Sequence, residues 1–150
     1  MMQLLELGRY REAGNDLDLV LNRDDLGEIL SRNPTYFDFF IRAAERFGRY
    51  GLIEEARRIA DTMLSVCMVK NLDRGKFHYC KARVLVLSAR TEPEMIYHVA
   101  EELFLASMAH AYYKDWYRQD VNFHPFRSQI DLVLTKVPKA SEDDSLRSRY

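Results

Sequence analysis

At 150 residues, 47% of them hydrophobic, the chain is long enough for one domain with a continuous core and too apolar to be intrinsically disordered over most of its length. Lysine and arginine (22) nearly balance aspartate and glutamate (23), so no global field draws the chain to nucleic acid or to an anionic membrane. Cys67 and Cys80 stand outside any CxxC spacing, no signal-peptide pattern opens the chain, and no apolar run reaches the roughly 18 residues of a membrane span. A reduced, cytoplasmic protein is expected.

Helix formers dominate, and six glycines and four prolines cut the chain into helix-length pieces, so an all-α fold is predicted. The first piece, Met1 to Leu7, ends at Gly8, and Tyr10 to Leu21 follows with Ala13, Leu17, Val20 and Leu21 on one stripe. Leu26 to Ser31 can form a short helix before Asn33-Pro34. Thr35 to Tyr50 places Phe37, Phe40, Ala44 and Phe47 on one face, and Leu52 to Val69 answers with Ala56, Ile59, Ala60 and Met63. Lys76 to Ala89 is the next helix. Thr91-Glu92-Pro93-Glu94 reads as a helix start with Thr91 as the cap, and no proline or glycine interrupts the chain from there to Arg118. One helix of about 25 residues, close to 38 Å long, is expected. A last helix spans about 126–136, closing a domain at 1–137, and residues 138–150 form a polar tail.

Two stretches echo each other, GRYREAGNDLDLVL at 8–21 and GLIEEARRIADTML at 51–64, and EPEMIYHVAEELF repeats the offsets more faintly. Their common positions, Ala13, Ala56 and Ile96, imply periods of 43 and 40 residues. At this point the chain resembles the tetratricopeptide repeat family of antiparallel helix pairs. Phe40, Ala43, Ala44, Phe47, Gly51 and Ala56 follow that family's order, while the periods exceed its usual length of about 34 residues. Asp120 to Arg127, with Phe123 and Pro125-Phe126-Arg127, is similar to the closing motif of many bacterial arrays of this kind. The resemblance implies an α-α superhelix of about three helix pairs, the first incomplete, with a C-terminal capping helix.

Little in the sequence points to catalysis. His78-Tyr79-Cys80 does not place two ligands on one helix face, His98 and His110 are too far apart to share a metal, and no base accompanies either cysteine. No metal, no cofactor and no enzymatic activity are expected. The resemblance implies instead a non-catalytic interaction module, a scaffold or adaptor holding a peptide or partner protein in a helix-lined groove. Its lining would be Asp38, Ile41, Glu45 and Arg49 from the second pair, with His78, Lys81, Leu85 and Ser88 from the third. The alternative is a regulatory subunit or homodimer. Its interface would be the aromatic cluster Tyr112, Tyr113, Trp116 and Tyr117, or an apolar face left uncovered on the first long helix. For the aromatic cluster, packing against the capping helix through Phe123 and Phe126 is the favoured account.

Overall fold

The computed structural model describes residues 1–137, and helix is the only regular structure among them. In chain order the helices are α1 (Met2–Glu6), α2 (Tyr10–Leu21), α3 (Leu26–Arg32), α4 (Thr35–Arg49), α5 (Ile53–Val69), α6 (Gly75–Val86), α7 (Met95–Ala109), α8 (Tyr112–Gln119) and α9 (Arg127–Leu134). A 3₁₀ helix, Val121–Phe126, joins the last two. Predicted residues 138–150 lie outside the described part.

The two echoing stretches begin with the same turn. Gly8 and Gly51 sit at φ +75° and +80°, in the left-handed region that a side chain disfavours. At the first turn the Arg9 amide donates to the Leu4 carbonyl and the Gly8 amide to that of Leu5; at the second, Leu52 donates to Phe47 and Gly51 to Gly48. This pair of bonds is the Schellman motif, which satisfies carbonyls that a helix end would leave unpaired. It recurs after α5, where Leu72 donates to Cys67 and Asn71, at φ +55°, takes the glycine's place. Burial repeats as well: Ala13 and Ala56 are fully buried, as are Leu17 and its counterpart Ala60.

The helices form a stack of antiparallel pairs. α1 packs on α2 and α4, α4 on α5, α5 on α6, and α6 on α7, while α4 also touches α6, two places along the chain. Ion pairs mark the period: Glu6–Arg46, Asp18–Arg58, Glu28–Lys70, Asp38–Lys76 and Glu45–Arg83 each join residues 38 to 42 apart, acid first and base in the following unit. Such surface pairs contribute little singly. Phe37 and Phe77, at 5.1 Å, repeat the spacing in the core. The first period also contains the short α3, with its Leu26 and Leu30 buried in the common core.

α6 is buried on two sides. Phe77, Cys80 and Val84 join the core of the first half, and Tyr79, Ala82 and Leu85 join that of the second, which α7, α8, the 3₁₀ helix and α9 complete. α9 packs on α7 as the C-terminal cap.

Three expectations are corrected. The single helix to Arg118 is broken at His110, whose backbone is extended (φ −146°, ψ 123°). The break redirects α8 across α6, where the Tyr113 ring stacks on Tyr79 at 5.2 Å and His110 Nε2 pairs with Asp73. Cross-chain packing outweighs an uninterrupted helical sequence, since propensity is a weak prior. Thr91 does not cap α7 either: its hydroxyl donates back to the Ser88 carbonyl at 3.2 Å. On the first long helix, α1 covers the stripe with Met2 and Leu5, burying Ala13 and Leu17. The most exposed apolar residue of α2, Leu19 at 74%, lies on the other face.

Candidate functional site

α4, α6 and α8 line a depression of about 380 Å³. α4 supplies Ile41 and Glu45, two of the groove residues predicted from sequence, because its apolar side is confined to one stripe and its other side is free. α8 supplies Tyr113 and Trp116. From α6 the lining is Lys76, Tyr79, Cys80 and Arg83, at the i, i+3, i+4, i+7 spacing of one helix face.

The predicted α6 set is therefore displaced. His78 Nδ1 lies 2.6 Å from Glu102 of α7, and Lys81 Nζ lies 2.7 Å from Asp61 of α5 and 3.5 Å from Glu102. Leu85 is buried and Ser88 donates to the Leu85 carbonyl at 2.9 Å. His78 is two residues after Lys76, about 200° round the helix, so this set faces the second core and the outer surface. Asp38 reaches the rim of the depression through Lys76, at 3.5 Å. Arg49 lies further along α4, in a neighbouring hollow with Met2, Phe39, Arg42, Arg46 and again Glu45. The two hollows share Glu45 and, side by side along α4, are together termed the channel.

Arg83 holds the centre. Its Nη1 is 2.5 Å from Glu45 Oε1 and its Nε 3.2 Å from Asp120 Oδ2. The Tyr79 hydroxyl donates to the same Asp120 oxygen at 2.8 Å, and the other Asp120 oxygen accepts from the Asn122 backbone at 3.0 Å and side chain at 2.7 Å. Burial, and then the adjoining carboxylate, push the Tyr79 phenol far above its ordinary range, so it acts only as a donor here. This network ties α4, α6 and the 3₁₀ helix into one wall. Lys76, Arg83 and Asp120 were not among the predicted lining residues.

The aromatic cluster divides in two. Tyr113 and Tyr117 are core residues, Tyr117 packed on Phe123 at 5.4 Å with its hydroxyl on Asp131 at 2.7 Å. Tyr112 and Trp116 remain 45% and 53% exposed, and Trp116 leans on Tyr79, Tyr112 and Tyr113 at 5.0 to 5.9 Å between ring centres. A half-exposed indole, braced by three rings, sits at the mouth of the depression. Cys80 borders it as a buried thiol that desolvation pushes up to about 12, so it is un-ionised at neutral pH. Among the described residues no group of three or more His, Cys, Asp or Glu side chains could hold a metal ion, and no helix is long and apolar enough to cross a membrane.

The chain matches no protein-family model, no curated protein and no solved structure.

Proposed function

We propose that the chain is a tetratricopeptide-like interaction module without catalytic activity, which holds an extended segment of a partner protein along the channel of α4, α6 and α8. The carrying observation is the half-exposed Trp116 on its bed of Tyr79, Tyr112 and Tyr113, lining with Ile41 a depression in which Glu45, Tyr79, Arg83 and Asp120 are already paired. Aromatic anchors of low conformational entropy, beside an apolar floor and a satisfied polar rim, are the parts from which peptide-binding hot spots are made. The recurring Schellman turn and the 38- to 42-residue ion pairs support the repeat reading, because a stack of similar pairs presents one concave face. Two buried free thiols favour the cytoplasm as its setting.

Selection from a displayed random-peptide library tests this reading. Peptides with an apolar or aromatic anchor are expected to enrich, with affinity falling about tenfold or more in Trp116→Ala and in Ile41→Lys but not in Leu132→Ala, an exposed site on α9. No enrichment, or peptides indifferent to both groove variants, would overturn it. The half-exposed Trp116 and Tyr112 also fit a self-contact. Sedimentation showing a dimer that Trp116→Ala dissolves would assign the patch to a second copy of the chain.

A further inference from the structure

Behind the aromatic wall of the channel lies a second, partly open cavity of about 440 Å³ between α7, α8 and α9. Tyr113 borders both. Leu103, Phe104 and Met108 from α7 and Leu134 from α9 make its walls apolar. Its polar groups are unequal in sign: Lys114, Arg118 and Arg127 against Asp131 alone. The Asp131 carboxylate already accepts the Tyr117 hydroxyl at 2.7 Å, and Arg118 meets Asp115 loosely at 3.6 Å on the surface.

Arg127 is the unusual member. Its guanidinium lies over the Tyr117 ring at 5.7 Å and one Nη donates to the Tyr117 carbonyl at 3.2 Å. Its Nε is buried and has no acceptor among the described residues. A buried donor without a partner is the exception in folded proteins, because the lost hydration is not replaced. The planar guanidinium suits a carboxylate, whose two oxygens can take its donors together.

We propose that this cavity binds a small monocarboxylate with an apolar body, its carboxylate on Arg127 and Lys114 and its body against Leu103, Phe104 and Leu134. The size is that of a small-molecule site, on the order of 300–1,000 Å³. Charge and walls complement such a ligand: an inorganic anion would leave the apolar walls wet, and a neutral lipid would leave the excess of basic groups without a counter-charge.

Calorimetric titration of the full chain with decanoate, decanol and acetate tests the proposal. Decanoate is expected to saturate one site, with decanol and acetate about tenfold weaker or more. Arg127→Gln should weaken decanoate about tenfold. Because Arg127 also holds α8, the exposed Lys114→Glu carries the same test without loading the fold, and about a threefold loss is expected there. A peptide ending in leucine separates a free acid from a chain terminus, and is expected to bind more weakly than decanoate. The proposal is overturned if decanoate fails to saturate, if decanol binds as well, if Lys114→Glu changes nothing, or if the peptide binds more tightly. Trp116→Ala, which tests the channel, should leave decanoate binding unchanged, so the two sites fail separately.

Discussion

A Cβ built on Gly75 would stand 3.0 Å from the Cβ of Ala109, and 3.1 Å and 3.2 Å from the rings of Tyr113 and His110. The first residue of α6 thus lies tightly against the corner between α7 and α8, and a side chain there would have to push Ala109, His110 or Tyr113 aside by a few tenths of an ångström. Tyr113 is also the ring that stacks on Tyr79 in the aromatic wall of the channel.

Gly75→Ala should therefore destabilise the fold by about 1–3 kcal/mol, the usual cost of overpacking a close contact. Gly14, inside α2 with open space around it, is the control. Gly14→Ala should stabilise by about 0.5–1 kcal/mol through helix propensity. Urea denaturation with an unchanged slope would read both, and a neutral Gly75→Ala would deny the close approach.

The three Schellman turns rank their own residues. Gly51→Ala should cost about 1–2 kcal/mol, since alanine resists the left-handed backbone at φ +80°. Gly51→Asn should cost less, and Asn71→Gly should be neutral or slightly stabilising. Thermal melts of these three variants check the order; equal losses for alanine and asparagine would contradict it.

Alkaline pH should weaken the protein. Burial, then hydrogen bonding, raises the phenols of Tyr79, Tyr113 and Tyr117 well above the ordinary tyrosine value, close to 10 when unfolded. Their contribution is complete below about pH 10 and declines as pH rises above it, because the unfolded chain releases protons that the folded chain keeps. Absorbance titration should show these three phenols ionising only with loss of the helical circular dichroism signal.

Cys67 and Cys80 should resist alkylation in the folded protein. Burial raises both thiols, Cys80 to about 12. Iodoacetamide labelling at pH 8 is expected to be slow and to accelerate by orders of magnitude in urea. Rapid labelling of the native chain would place a reactive thiolate at the channel floor.

The predicted groove shows how far local pattern reaches. Ile41 and Glu45 were legible because α4 has one apolar stripe, so the remaining side could be read as free. α6 gives no such cue. Phe77, Cys80 and Val84 serve one core while Tyr79, Ala82 and Leu85 serve the other, and an apolar pattern on two sides leaves the exposed face undefined. Counting from His78 rather than Lys76 was enough to turn the predicted lining away from the channel.

By itself the sequence determined the all-α class, the positions of the glycine turns, the equivalence of 8–21 with 51–64 and a last helix near 126–136, because spacing, left-handed turns and burial stripes are local properties. Only the tertiary structure decided where α7 stops, which face of α6 meets α4, and which of four neighbouring aromatics stay exposed. Those outcomes depend on contacts between residues far apart in the chain: Tyr79 on Tyr113, Asp73 on His110, and Arg83 between Glu45 and Asp120. No local propensity encodes them, since each partner's preference is satisfied only when the other helix is already in place.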